Sequence, residues 1–335
     1  MERKLASIQI VLDIKPIEGA DMIELVIING WQVVVKKGEF KVGEKVIYFE
    51  IDSFLPIKEE YEFLRKSSYK KMGEQEGFRL KTVKLRGELS QGLVLPYYLL
   101  PDLEFHDYEE GEDVTEHLDI VKWEPPISAN LAGVARGNFP SFIPKTDEER
   151  IQNLKKYYED YKTKVFYVAE KLDGSSATFY LNNGVFGVCS RNLDLIETEG
   201  NSFWKAARDL DIETKLRSLG FNLALQGELI GEGIQGNPYK IKGQKVYFFN
   251  AYDIDLRIYL DFESFIAILK KFGLDWVPIL NEEYMLPETI DELLKIAEGK
   301  SDLNPQTERE GLVIRSLDRE ISFKVISNKF LLKEK

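Results

Sequence analysis

Apolar side chains in the first hundred residues recur in short alternating or apolar runs: Lys4 to Ile14, Met22 to Ile28, Trp31 to Val35, Lys45 to Phe49, Arg79 to Leu85 and Gly92 to Leu95. Period-two patterning of this kind marks half-buried strands. Turn signals separate the runs at Glu18-Gly19, Asn29-Gly30, Lys37-Gly38 and Arg86-Gly87. Many short strands at this spacing predict a small closed β-barrel. Farther along, the pattern changes. A helix is predicted from Thr146 through Tyr161, with Thr146 as N-cap and Asp147, Glu148 and Glu149 at its positive end. Strands follow, with a hairpin turn at Asn182-Asn183-Gly184. Helical periodicity returns at Phe203 to Leu219, Phe262 to Phe272 and Ile290 to Ala297. Strands mixed with helices outside strict alternation predict an α+β domain.

A chain of 335 residues suggests two such domains. The segment Glu104 to Pro126 is acidic and ends in Pro125-Pro126, so it reads as the join. The expected division is 1–120 and 121–335. Hydrophobic residues make up 44% and charged residues 30%, as in an ordinary soluble protein. No apolar stretch approaches the length needed to cross a bilayer, and no signal-peptide core follows Met1. One cysteine, Cys189, excludes an internal disulfide and fits a reducing compartment, so an intracellular, cytoplasmic location is expected. With Cys189, His106 and His117 alone, no structural zinc site is expected. The net charge of −12 opposes non-specific nucleic-acid binding, which rests on phosphate neutralisation. A nucleic-acid partner therefore requires lysines and arginines concentrated locally.

Candidate chemistry begins at Glu170-Lys171-Leu172-Asp173-Gly174, a turn between the run Val165 to Ala169 and the run Thr178 to Leu181. It offers a lysine nucleophile beside a carboxylate that can anchor a metal; the alternative is a surface turn lysine. An ordinary lysine has a pKa of about 10.4, so only roughly one in a thousand is neutral at pH 7. A second cation and a metal nearby raise that fraction. Lys324, in the alternating run Ile321 to Val325, is the expected second cation. Downstream stand Ser190-Arg191-Asn192, Gln226-Gly227-Glu228-Leu229, Tyr247 to Ile254, Glu310-Gly311-Leu312-Val313 and Ser322-Phe323-Lys324. Asp173, Glu228 and Glu310 are oxygen donors suited to Mg2+ or Mn2+. Arg191 suits a phosphate clamp.

In their order these segments resemble the motifs of the covalent nucleotidyltransferases: ATP-dependent DNA ligases, RNA ligases and mRNA-capping guanylyltransferases. The resemblance implies that Lys171 attacks the α-phosphate of ATP to form lysyl-AMP. It implies a nucleotide site of Glu170, Lys171, Gly174, Arg191, Glu228, Tyr252 and Lys324. Tyr252 stands where the family stacks an aromatic on the base, though a strand aromatic also serves as plain core. Glu228 is implied to hold the ribose as well, and Glu310 and Asp173 to orient the metal through waters. Pro144 to Arg150 resembles the segment leading into the catalytic domain of RNA ligases. Arg150 is there a candidate for the outer phosphates, or equally a helix-surface arginine.

Two further signals are set aside. Gly231-Glu232-Gly233-Ile234-Gln235-Gly236 has dinucleotide-loop spacing, but Asn237-Pro238 follows instead of a helix, so it reads as a flexible loop. No phosphate-binding P-loop motif is present.

The stretch Arg79 to Gly87 with Ser90-Gln91-Gly92-Leu93 resembles the OB-folds of tRNA-binding domains. The chain extends eleven residues past Lys324, which leaves no room for a following OB domain. With an OB-like domain first, the arrangement resembles RNA ligases of the Deinococcus and Naegleria type. The implied fold is α+β: an N-terminal OB-fold β-barrel, then an ATP-grasp-like adenylyltransferase domain of antiparallel sheets and helices. The implied function is sealing of 3′-OH RNA ends to 5′-phosphate ends in RNA repair, with nicked RNA duplex or RNA ends as partner, ATP and Mg2+ or Mn2+ as cofactors, and no membrane. DNA sealing, cap-type transfer and a non-catalytic RNA-binding protein are the alternatives. One departure stands out. Such ligases often carry a second lysine two residues after the last-motif lysine, where this chain has Ile326; Lys329 is a possible substitute.

Overall fold

A computed structural model describes residues 3–101, 103, 106–124 and 134–333. The chain divides into two compact units. One comprises Met1–Pro126, Ile151–Tyr158 and Leu331–Lys335; the other comprises Ile127–Arg150 and Glu159–Phe330.

The first unit is built on the long strand Ala6–Pro16. Its first half pairs with Lys45–Phe49 and its second half with Ile23–Ile28, with a register shift between Val11 and Asp13. A bulge bends and twists a strand, so one strand serves two neighbours and the sheet curls. The five-stranded order is Leu93–Pro96, Lys45–Phe49, Ala6–Pro16, Ile23–Ile28, Trp31–Lys36. Val34 N donates to Ser90 Oγ (3.0 Å) and Gln32 Nε2 to Leu89 O (2.9 Å), joining the last strand to the hairpin of Thr82–Leu85 and Glu88–Gln91. This is the OB-fold architecture. Ile8, Ile47, Phe49, Leu55, Tyr61 and Phe78 fill its core.

Two expectations fail here. Arg79 to Leu85 is not one strand. Gln75–Arg79 pairs with Ser53–Pro56, and the chain turns at buried Leu80 before Thr82 opens the hairpin. Arg79 binds Asp52 (3.3 Å) and lies over the Trp123 ring, so it is a structural residue rather than part of a basic face. Nor is the described part of the acidic segment a linker. Ile8 N donates to Glu112 O, Gly111 N to Ile8 O and Val114 N to Ala6 O, while Tyr108, Val114, Leu118 and Ile120 enter the core. The charges of Glu109 to Asp113 mask these apolar anchors in the sequence. Glu104 and Pro125-Pro126 lie outside the described residues.

The second unit has two antiparallel sheets. The four-stranded sheet runs Ile279–Tyr284, Phe166–Lys171, Gly311–Ser316, Ser322–Ile326. The seven-stranded sheet runs Ala135–Asn138, Leu193–Leu195, Val185–Cys189, Ser175–Asn182, Leu223–Gly231, Gln244–Asp253, Ile258–Tyr259. The hairpin at Asn183-Gly184 has positive φ at both residues (49° and 78°), the two-residue turn that matches strand twist. One face of the larger sheet packs Phe179, Leu225 and Phe248 against Trp204, Leu216 and Leu269 of the helices Ser202–Asp209, Ile212–Arg217 and Phe262–Phe272. Phe203 to Leu219, expected as one helix, breaks where Asp211 turns left-handed (φ 50°).

The helix predicted over Thr146 to Tyr161 is also shorter. A 3-10 turn covers Ile151–Tyr157 and one α-turn covers Tyr158–Tyr161, while 144–149 is irregular. Of the three acids expected at its positive end, Asp147 and Glu148 bind distant cations and Glu149 lends its backbone carbonyl to Lys324 N, as described below.

Within the first unit, buried Glu50 accepts from Arg3 (3.1 and 2.5 Å) and from Asn153 Nδ2 (3.1 Å). Removing one partner strands a buried charge, which costs about 3–5 kcal/mol. Arg3→Ala is therefore expected to lower the unfolding free energy of this unit by that order, read from urea denaturation, and Glu50→Gln in the same chain to restore part of the loss.

Candidate active site

Lys171 is the last residue of Phe166–Lys171 in the smaller sheet, and Ser175 is the first residue of Ser175–Asn182 in the larger one. The tetrapeptide Lys171 to Gly174 is thus the crossing between the two sheets. Gly174 is needed for close approach. A Cβ there would lie 2.6 Å from Leu229 O and 2.8 Å from Glu228 Cγ, so any side chain would push the turn away from the Glu228 strand. Gly311 pairs with Lys171 across the smaller sheet and is confined in the same way, 2.2 Å from Val325 O.

Glu310 precedes Gly311, and both its carboxylate oxygens lie 2.9 Å from Lys171 Nζ. Burial pulls the Lys171 ammonium toward neutrality. Glu310, Glu228 and Asp173 outweigh it and hold the pKa above the ordinary lysine value. Glu228 is pushed up to about 8, chiefly by burial and further by the charges of Glu310 and Asp173, against the pull of Lys171. The three sequence-predicted carboxylates therefore surround one amine. Among the described residues, however, no three His, Cys, Asp or Glu side chains are spaced to grip a metal directly. An all-oxygen donor set with one destabilised carboxylate fits a hydrated hard cation, which keeps several of its waters.

Lys324 is not the immediate neighbour of Lys171 that was expected. The register Ala169↔Val313↔Lys324 puts it on the same face, two strands across, with Cα atoms roughly 12 Å apart from strand spacing and rise. Its ammonium lies 3.8 Å from Asp147, and Arg191 donates to both oxygens of Asp147 at 2.9 Å. Asp147 thus gathers the two cations predicted for phosphate binding.

Glu148 accepts from Arg315 Nη2 (2.9 Å) and Ser322 Oγ (2.6 Å), and the Glu149 carbonyl accepts from Lys324 N (2.8 Å). Burial favours protonation of Glu148, but Arg315 and Arg319 override it and keep the pKa low. Arg150 is buried in a parallel bridge with Lys324 and is not on a helix surface. Residues 143–150 thus form a strap that runs from the larger sheet to the smaller one. Ile143 covers Tyr180 and Tyr252, Pro144 O accepts from Gln226 Nε2 (2.9 Å), and Thr146 hydroxyl bonds that of Ser176 (2.9 Å).

Tyr252 is buried under that strap with Ile143, Tyr180, Cys189 and Ile254, about 13 Å along the strand from the Glu228 position. The half-buried aromatics beside Leu172 are Tyr247, the cross-strand partner of Glu228, and Phe249. Glu170 points to the opposite face from Lys171, where Oε2 accepts from Asp302 N (2.8 Å) and burial raises its pKa. Ile326 is buried opposite Gly311, and Lys329 binds Glu298 (2.9 Å), so Lys329 does not replace the second lysine. The sequence places Asp147 and Glu148 as acids at the positive end of a helix and does not single out Arg315.

A family model for an OB-fold domain matches residues 5–97, and one for RNA ligase matches residues 164–330. Among solved structures, Naegleria gruberi RNA ligase with pyrophosphate is 47% identical, at a TM-score of 0.93, over 99% of both chains. An alanine variant of that ligase with AMP and manganese gives the same identity, TM-score and coverage. A lysine-to-alanine variant with ATP and manganese is 47% identical at a TM-score of 0.92, again over 99% of both. No curated protein matches in a sequence search.

Glu228 supplies a pH test. Between its ordinary value of 4.5 and about 8 the folded chain holds a proton that the unfolded chain has lost. Stability from this group therefore falls as pH rises through that window. Melting curves at pH 5 to 9 are expected to show a smaller decline for Glu228→Gln than for the parent; parallel declines would show that Glu228 titrates normally.

Proposed function

The chain belongs to the RNA ligase family and is an ATP-dependent RNA ligase; we propose that it acts through covalent charging of Lys171. The carrying observation is an amine at the crossing of two sheets, ringed by Glu310, Glu228 and Asp173. The neutral Lys171 Nζ attacks the α-phosphorus of ATP. A P–N bond forms, the bond to the bridging oxygen breaks, pyrophosphate leaves, and lysyl-AMP remains. AMP then passes to the 5′-phosphate of an RNA end, and the neighbouring 3′-OH displaces it.

Asp173, Glu228 and Glu310 are the residues that would hold Mg2+ or Mn2+, through its waters. The ion supplies positive charge against the α-phosphate. With their charge shared in this way, the three carboxylates would loosen their grip on the Lys171 proton. Arg191, Lys324 and Arg150 receive the phosphates, with Arg191 and Lys324 exchanging the Asp147 carboxylate for the anionic ligand. Gly174 keeps the turn close to the Glu228 strand. Tyr247 and Phe249, beside Leu172, serve the base in place of Tyr252.

RNA ends or nicked RNA duplex are the substrate, and repair of broken RNA is the role this chemistry serves. In the OB unit the exposed tip Val83 to Arg86 carries Lys84 and Arg86. It gives the acidic chain a local cationic contact for RNA. The free, buried Cys189 is consistent with an intracellular protein. Among the described residues, no helix is long and apolar enough to cross a membrane.

Incubation with radiolabelled ATP and manganese, followed by denaturation, is expected to leave label on the parent chain and none on Lys171→Ala. Label on the variant would remove Lys171 as nucleophile. Nicked duplexes that differ only in the 3′-terminal sugar are expected to seal with ribose and poorly with deoxyribose. Lys84→Glu with Arg86→Glu is expected to weaken nick binding several-fold and flatten its salt dependence, leaving ATP labelling intact.

A further inference from the structure

The glycine-rich segment after the Glu228 strand is not a loose loop. Gly231 N-terminal to it, Gly233, Gly236 and Gly243 have positive φ, as do Gln235, Asn237 and Lys240. Asn237 closes the loop on itself: its side chain accepts from Ile241 N (3.1 Å) and donates to Ile241 O (2.9 Å). This winding delivers Tyr239 into a buried cluster with Ala169, Leu172, Ile230 and Val277. There its phenolic oxygen accepts a hydrogen bond from Asp173 N at 2.6 Å.

A second loop fixes the first. Pro238 O accepts from Asn304 Nδ2 (3.0 Å) and Thr307 Oγ1 (2.7 Å). The same loop is tied to Glu170 by the bond from Asp302 N (2.8 Å). Residues 170 and 173 are therefore gripped from two sides, and the two grips are joined through Pro238. Between them stands Lys171. We propose that Tyr239 is a positioning residue for Lys171: the phenol anchors the backbone just beyond the nucleophile, and the loops 231–243 and 301–307 form its brace.

This deepens the reading of Lys171 as the nucleophile and rests on it. In-line attack tolerates little misplacement, so a backbone anchor two residues away is felt in the rate of charging. Tyr239→Phe keeps the ring in its cluster and deletes only the hydroxyl. Single-turnover labelling with ATP is expected to slow about tenfold at saturating nucleotide, because the amine is no longer held in line for attack. The KM for ATP is expected to stay near that of the parent, and the melting curve to shift by no more than the loss of one hydrogen bond. Sealing of a nick already carrying AMP on its 5′-phosphate bypasses attack by Lys171, and is expected to keep the parent rate. Thr307→Val, which loosens Pro238 and leaves Tyr239 intact, is expected to slow the same step by a smaller factor.

Unchanged labelling in both variants overturns the proposal. So does an equal fall in labelling and in sealing of the pre-adenylylated nick, because a general structural role predicts that pattern. A parent chain that takes no label removes the nucleophile reading and the brace with it. A parent that labels while both variants match it removes the brace alone.

Discussion

The ion pair between Lys171 and Glu310 is the contact on which the site's geometry depends. It exists because two strands run antiparallel with Lys171 opposite Gly311, and because Gly311 has no Cβ to obstruct its neighbour strand. Glu310, one residue earlier, then sets both oxygens 2.9 Å from the amine. Gly174 provides the matching condition on the other side by letting the crossing turn lie against Leu229 and Glu228. A side chain at either glycine would push amine and carboxylates apart, at Gly174 by meeting Leu229 O and Glu228 Cγ and at Gly311 by meeting Val325 O.

The cationic half of the site depends on a different device. Lys324 reaches the same face as Lys171 only by sheet register, and its surroundings come from the strap at residues 143–150. That strap has no helical hydrogen bonds of its own before Ile151. It is held by Glu148 on Arg315 and Ser322, by Gln226 on Pro144 O, and by Ile143 over Tyr180. Consecutive acids thus do separate work: Asp147 faces Arg191 and Lys324, Glu148 faces inward to Arg315, and Glu149 contributes its carbonyl.

This explains what the sequence could and could not reveal. That Lys171, Asp173, Glu228 and Glu310 come together was foreseeable because Lys171 ends one strongly patterned strand, Glu310 precedes another and Glu228 lies within a third, where local periodicity fixes direction. The OB unit was readable from alternation and turn residues. Asp147 and Glu148 were misread because three acids after a threonine satisfy helix-capping rules locally, while their partners lie 44 and 167 residues away. The acidic run Glu109 to Asp113 looked like a linker for a similar reason: its backbone pairs with Ala6 and Ile8, which no local pattern displays. Tyr239 was hidden by Asn237-Pro238, correctly read as ending any helix but silent on where the next side chain goes.

With Lys171 as the proposed nucleophile, the charge balance around it also explains how its reactivity is kept in check. One ammonium faces three carboxylates; burial first, and the charges of Glu310 and Asp173 after it, push Glu228 up to about 8, while the same carboxylates outweigh burial at Lys171 and keep it protonated. A protonated amine has no lone pair to attack with. Reactivity must therefore wait for a ligand that brings cations to the carboxylates and anionic oxygens to Arg191 and Lys324. Nucleotide accompanied by a divalent ion would meet both conditions, whereas nucleotide alone would add negative charge to an already acidic cluster. On that reading the three carboxylates would make charging of Lys171 conditional on nucleotide and ion binding together.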